Sequence, residues 1–376
     1  MKVLLVGVST RAAAESAALA GFDVTAIDAF ADLDQHPSVS AQSLRNFSPD
    51  AAARLARTID CDAVAYLSNF ENDPDAVGLL AEGRPLWGNP PEVLRRVRDP
   101  KLLAHVLRRR GVAAPEVSVE FRIPNPEARL DQDLTWLVKP FASGGGHRVR
   151  RWRPGTPVPR GSYLQEVIEG APGSVVFVAA DGRAVPIGVS RLLIGEEAFG
   201  ASGYRYCGNI LVPGGEDDTV AHAACALAGA VSEEFGLVGV NGIDFVEKAG
   251  VPHALEVNPR WCASMELVER AYGLSVFGAH AAACSERVLP DFDLPRARRA
   301  TRAAVGKAVI FAQRDVKVGD MRAWLTDGVR DVPHTGARIR SGRPVCTIFA
   351  EGRDAGACRA ELVRRATRVY ADLTAS

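Results

Sequence analysis

The chain has 376 residues and a mass of 40.1 kDa, enough for two or three domains with a substantial core. Lysine plus arginine and aspartate plus glutamate each number 45, so no global field favours nucleic acid or an anionic membrane as a partner. Seven cysteines without a CxxC pair argue against a zinc site and a disulfide framework and fit a reducing cytoplasm, and no stretch approaches the ~18 apolar residues of a membrane span.

The start, MKVLLVGVSTR, reads as a strand rather than a signal peptide, because its apolar run is short and no cleavage site follows. Apolar strands at KVLLVGV, DVTAID, DAVAYL and LWGN alternate with helices at RAAAESAALAG, DAAARLARTI and PDAVGLLAEG. That alternation predicts a parallel sheet covered on both faces, a small Rossmann-like unit of the α/β class. Its first turn, GVSTR, lacks the GxGxxG spacing of dinucleotide sites. Ligands in such sheets still gather beyond the carboxyl ends of the strands, where Ser9, Thr10, Arg11 and the loop SNFENDP at 68–74 lie. Asp28 closes the second strand, where it could bind a ribose but in this context reads more as a helix cap or a substrate contact.

A helix follows in DPKLLAHVLRRRG, with Asp99 as cap and Pro100 at its first position. The glycine- and proline-rich middle reads as antiparallel sheet with loops, an α+β pattern. Next come a helix in DDTVAHAACALAGAVSEEFG, strands in AAVGKAVIFA and PVCTIFAE, and a closing helix in AGACRAELVRRATRVYADL. LPRARRATR reads as a solvated charge run.

Between these, VNGIDFVEKAGVPHALEVN reads as a β-hairpin. With a loop from Lys248 to Pro252, Asp244 falls opposite Glu256. The period of two sends Leu255 and Val257 to one face and Glu256 and Asn258 to the other. Two carboxylates and an amide oxygen, without histidine or cysteine, suit Mg²⁺ shared with phosphates. An acidic edge on a solvated hairpin would show the same pattern.

Only six of the basic residues are lysines, which makes their positions informative. Lys139 ends an apolar strand in WLVKPFASGGGHRV, just before Ser143, Gly144, Gly145 and Gly146. Such a turn lets backbone N–H groups crowd phosphate oxygens while a lysine supplies charge. The spacing is not that of a P-loop.

Taken in order, DPKLL, VKP, the glycine loop, QEVIEG, GIDF and EVNPR resemble the ATP-grasp superfamily over most of the chain. The resemblance implies a Rossmann-like preATP-grasp domain at 1–98 and an ATP-grasp domain at 99–290, its small subdomain at 99–165 and its large one at 166–290. A biotin carboxylase-like C-terminal segment at 291–376 would pack on the ATP-grasp sheet. The resemblance also implies ATP and a pair of Mg²⁺ ions, with Mn²⁺ as a substitute. Asp244, Glu256 and Asn258 would be the metal ligands. Lys101, Lys139 and the loop from Ser143 to Gly146 would hold phosphates. Gln165, Glu166, Val167 and Ile168 would form the adenine hinge, and Glu169 would stand in for the ribose contact. Arg260 would face the acyl phosphate.

Two departures from the family pattern stand out. Ser174 occupies the region where many relatives place a ribose-binding glutamate. Gly242 occupies the position of an arginine in D-alanine ligase-like members, leaving the oxyanion to Arg260, with Arg205 as helper. The implied activity is a ligase that activates a small-molecule carboxylate as an acyl phosphate and joins it to an amine, with a homodimer as a common assembly. No dedicated general base stands out; His147, just after the glycine loop, reads either as an ordinary surface-loop histidine or as the group that takes the amine's proton. STRAAAESAALAGFDVTAIDAFADLD and SNFENDP are similar to a little-characterised branch linked to one-carbon cofactor metabolism in methanogens and methylotrophs, which suggests tetrahydromethanopterin- or methanofuran-type biosynthesis. The alternatives are a biotin carboxylase-like enzyme using bicarbonate and a non-catalytic ATP-binding regulatory module.

Overall fold

A computed structural model describes residues 1–119, 134–215 and 218–375. The chain begins with β1 (Lys2–Val6), α1 (Arg11–Leu19), β2 (Asp23–Asp28), β3 (Val39–Ser43), α2 (Pro49–Ala56), β4 (Ala63–Tyr66), α3 (Pro74–Ala81) and β5 (Leu86–Trp87). These strands form a parallel sheet in the order β3-β2-β1-β4-β5. Alternation along β1 explains its two covers. Leu4 and Val6 pack with Ala52, Ala53 and Ala56 of α2, while Val3 and Leu5 pack with Ala13, Ala14 and Ala17 of α1. The sequence reading misses β3, because an exposed edge strand of sequence VSAQS carries no apolar alternation.

Next come α4 (Pro91–Val97), also unforeseen, and α5 (Pro100–Arg109), which Asp99 caps by accepting from the backbone N–H groups of Lys101 and Leu102. The strands β6 (Val117–Ser118), β7 (Trp136–Pro140), β8 (Arg150–Arg151) and β9 (Ser162–Glu166) form an antiparallel sheet in the order β6-β9-β7-β8.

The second half contains β10 (Ala171–Ala180), β11 (Arg183–Ile194), β12 (Tyr206–Leu211), α6 (Thr219–Phe235), β13 (Gly239–Lys248), β14 (Val251–Asn258), α7 (Met265–Tyr272), α8 (Val276–Ser285) and α9 (Leu294–Ala300). It closes with β15 (Ala304–Phe311), β16 (Val316–Lys317), α10 (Ala323–Thr326), β17 (Arg338–Ile339), β18 (Pro344–Gly352) and α11 (Ala355–Ala375). A seven-stranded antiparallel sheet runs β14-β13-β10-β11-β12-β15-β18. Along β10, Val175, Phe177 and Ala179 pack on α6, and Val176, Val178 and Ala180 share a core with α7 and α8. The C-terminal strands β15 and β18 join the edge of this sheet rather than lying on its face.

Asp218 caps α6, and Asp217, at the head of the expected helix, lies outside the described residues. LPRARRATR is solvated at Arg296, Arg299 and Arg302 but not at Arg298. It forms α9, capped by Asp293, and its Arg298 is buried, donating to Asp218 at 2.7 Å and to the carbonyl of Val189 at 3.1 Å. Among the described residues, no helix is long and apolar enough to cross a membrane.

Candidate active site

The hairpin of β13 and β14 turns on two residues rather than five. Ala249 and Gly250 have φ of 52° and 81°, the left-handed pair that a tight hairpin turn requires, and Lys248 faces Val251. Continued unbroken, that register would set Leu255 opposite Asp244. A β-bulge intervenes: Phe245 pairs with Ala254, Asp244 pairs with Glu256, and Leu255 is the extra residue. The bulge also corrects the expected facing, since Ala254 and Val257 share the core and Leu255 does not.

Beside this pair the strand end closes on itself. Asn258 donates through Nδ2 to Asp244 Oδ2 at 3.1 Å, and its Oδ1 accepts from Arg260 Nη2 at 3.2 Å. Ser174, directly across from Asp244 on β10, hydrogen-bonds the same carboxylate. Burial first, then the facing Glu256, pushes the Asp244 carboxyl up to about 6. Glu256 goes the other way. Burial opposes its charge, but Lys139, Arg98 and Arg260 outweigh burial and hold its carboxyl below the usual range. Gly242 leaves no room for the arginine seen in some relatives, because a Cβ there would lie 2.6 Å from Cys262 Sγ.

Lys139, on β7, donates to Gln165 Oε1 at 3.0 Å, and Gln165 in turn donates to the carbonyl of Leu255 at 3.1 Å. The small sheet is thereby tied to the bulge that sets Glu256. Burial disfavours the Lys139 ammonium, yet Tyr163 and Glu256 more than compensate, so its pKa is raised. The glycine loop is tied down at three points. Ser143 gives its carbonyl to Arg98 Nη2 at 3.1 Å, and Gly145 gives its own to the N–H of Tyr206 at 3.0 Å. Gly146, at φ 71°, passes so near Tyr204 that a Cβ would sit 1.8 Å from its carbonyl oxygen.

Along the hinge, the N–H of Glu166 is bound to Glu116 and that of Val167 to Thr135. The N–H of Ile168 has no backbone acceptor among the described residues. Glu169 is exposed, as is Lys101 in the first turn of α5. Arg205 is held elsewhere. It donates to the carbonyl of Gly342 at 2.6 Å and lies 4.9 Å from the Phe311 ring centre, lining a cavity that none of Asp244, Glu256 and Asn258 lines. His147 lines the same cavity, and burial, then Arg148, Arg205 and Arg343, pull its pKa down.

Two residues missed by sequence reasoning complete the strand end. Glu71, 1% exposed in the SNFENDP loop, accepts through Oε1 from Arg260 Nε at 2.9 Å and contacts Nη2 at 2.8 Å, while its Oε2 has no hydrogen-bond partner among the described residues. Arg98 donates to Val257 O at 3.0 Å, Asn72 Oδ1 at 2.9 Å and Ser143 O, and stands 3.5 Å from Glu256. Arg98 directly precedes the DPKLL stretch, and Glu71 lies where ligands gather in such sheets, so position alone marked their neighbourhoods.

Asp244, Glu256 and Asn258 offer two carboxylates and an amide, hard oxygen donors matched to Mg²⁺. Burial, then repulsion from Glu256, drives the Asp244 carboxyl upward, and a cation between the carboxylates would relieve the repulsion. The donor set therefore fits the metal, with the Asn258 amide turned so that its oxygen leaves Arg260. Among the described residues, no group of three His, Cys, Asp or Glu side chains forms another metal site.

The ATP-grasp domain family matches residues 98–264. An uncharacterised protein of Methanocaldococcus jannaschii is 21% identical over 375 residues, covering 93% of this chain and 88% of the relative. The L-amino acid ligase of Bacillus licheniformis superposes with a TM-score of 0.69 at 15% identity, covering 98% of this chain and 97% of the ligase. The biotin carboxylase domain of the Hydrogenobacter thermophilus 2-oxoglutarate carboxylase, solved with MgADP and bicarbonate, superposes with a TM-score of 0.70 at 15% identity, covering 94% of this chain and 86% of that domain. These two structural likenesses are likenesses of fold. Together with the domain match they show an ATP-grasp domain at residues 98–264 within a chain of like fold.

Proposed function

We propose that the protein is an ATP-dependent ligase that activates a small-molecule carboxylate as an acyl phosphate and joins it to an amine. The observation that carries this reading is the convergence at one strand end of Asp244, Glu256, Asn258 and Arg260, with Lys139 and the glycine loop facing Glu256 through Arg98. Nucleotide phosphates would lie under the loop amides near Lys139, and the Ile168 N–H would be free to meet the adenine edge. Mg²⁺ held by Asp244, Glu256 and Asn258 would neutralise charge on the transferring phosphoryl group.

The substrate carboxylate attacks the γ-phosphorus and ADP departs. Lys139 and the loop N–H groups hold the phosphoryl oxygens during that transfer. The amine then attacks the acyl carbon, Arg260 stabilises the tetrahedral oxyanion, and phosphate leaves. The tethered loop excludes water from the acyl phosphate. His147 lines a cavity beside the loop, and its lowered pKa keeps it neutral and able to accept a proton.

The test is ADP and phosphate release across a panel of carboxylates and amines. Release that needs both supports ligation, and Glu256→Gln is expected to lose about a hundredfold or more. Full activity in Glu256→Gln removes the metal assignment. A bicarbonate-dependent carboxylase is the second reading, favoured by β15 and β18 joining the sheet edge and by the likeness to a biotin carboxylase domain. Bicarbonate dependence without an amine would select it. The sequence resemblance supports placing the ligase in one-carbon cofactor biosynthesis, and the seven free cysteines support a cytoplasmic setting.

A further inference from the structure

Beside the glycine loop lies an open cavity of about 610 Å³, bounded by residues 146–149, the segment 200–205, Glu197 and the turn at 341–342. Its charge is lopsided. Arg148 and Arg205 line it with His147, and Glu197 is the one carboxylate among its lining residues. Arg343 stands near enough to act on His147.

Both lining arginines have donors to spare. Arg205 is pinned by the Gly342 carbonyl and by the face of Phe311, which fixes its guanidinium plane, and its other N–H groups meet no acceptor among the described residues. Arg148 is exposed, forms no side-chain hydrogen bond or ion pair there, and sits in the left-handed region at φ 61°. That conformation costs a non-glycine residue about 1 kcal/mol or more, and such costs concentrate at functional positions. Glycine-loop contacts fix the wall: Gly145 binds Tyr206, and Gly146 packs on Tyr204. Two guanidinium forks of this kind recognise planar or tetrahedral oxyanions.

We propose that this cavity anchors a second anionic group of the substrate, a carboxylate or a phosphate ester, held by Arg148 and Arg205. The proposal rests on the ligase reading and deepens it: the substrate is at least a dianion, with one carboxylate activated near Arg260 and another oxyanion held here. Arg205 is then a substrate anchor rather than a helper of Arg260.

The test is calorimetric titration of the full chain at constant ionic strength, in saturating MgADP, with inorganic phosphate in one arm and glutarate in the other. Saturable binding of either probe is expected, weakened about tenfold in Arg148→Ala and in Arg205→Ala. Arg205→Lys should recover only part of the loss, because an ammonium lacks the fork. Glu197→Gln should tighten binding, which keeps the test open if an alanine variant folds poorly. Tighter phosphate identifies a phosphate ester and tighter glutarate a dicarboxylate. Absence of saturable binding, or equal binding in all variants, overturns the proposal. If wild type fails to bind MgADP yet still binds the anion through these arginines, the ligase reading falls and the cavity stands.

Discussion

Replacing Glu71 by glutamine tests whether the N-terminal domain sets the position of Arg260. Glu71 is 1% exposed and the Arg260 side chain 13%, and two guanidinium nitrogens share one carboxylate oxygen at 2.8 and 2.9 Å. Removing one partner of a buried pair costs about 3–5 kcal/mol, because the other charge stays buried. Glutamine keeps the shape and one acceptor, so the expected loss is about 2–3 kcal/mol. Urea unfolding of Glu71→Gln, Arg260→Met and the double variant measures it. The pair should show a coupling of about 1.5–3 kcal/mol, with the double variant recovering much of the single losses. Single losses that add within about 0.5 kcal/mol would show that the two side chains act independently and refute the argument.

Arg98→Gln should release Ser143 and Asn72 together, so proteolysis near the glycine loop should accelerate several-fold while far-UV circular dichroism stays unchanged; equal cleavage rates would count against the clamp. Gly146→Ala meets both φ 71° and a carbonyl oxygen at 1.8 Å, so it should lower the melting temperature or weaken ADP binding, whereas Gly203→Ala, at φ 61° in open space, should show only the smaller backbone cost. Asp32 supplies a pH test. Burial, then Asp331, Asp28 and Asp34, pushes its carboxyl up to about 8, so the folded chain keeps a proton that the unfolded chain releases near 3.8. Its contribution to stability is complete below about pH 4 and fades as pH rises through 8. Melting temperature should therefore fall between about pH 5 and 8.5, and Asp32→Asn should flatten that decline.

The parallel sheet and the order of the loops were legible because each rests on local pattern: apolar strands between helices, a cap at Asp99, glycines after Lys139. The facing of Asp244 and Glu256 was also legible, but the route to it was not. A five-residue loop and a two-residue turn plus a bulge give the same pairing, and only backbone geometry separates them. Ser174 was read as the absence of a ribose contact, whereas its role comes from lying across from Asp244 on another strand. Glu71, Arg98 and Arg298 are ordinary charged residues in sequence. Their significance comes from partners between 26 and 189 positions away, which no local period reveals.

A second set of charges shows why the N-terminal domain belongs to the site rather than beside it. Arg11, at the head of α1 and 1% exposed, reaches Glu266 on α7 at 2.7 Å and Asp331 at 3.0 Å. Glu266 also takes Lys307 of β15 at 2.6 Å. Burial opposes the Glu266 charge, but Arg11 and Lys307 outweigh it and hold its carboxyl well below the usual range. Such buried pairs add little net stability compared with apolar packing, and their use lies in fixing geometry. Here one carboxylate joins the first strand–helix turn, the helix that follows the Arg260 segment, and a strand of the C-terminal segment. Glu71 on Arg260 and Arg98 on Asn72 make the same connection from the other side of that segment. Among the described residues, Arg260 takes its one carboxylate partner, Glu71, from the N-terminal domain, so a free-standing 98–264 fragment would keep the contacts of Arg260 to Asn258 and the Trp261 carbonyl but lose its charge partner.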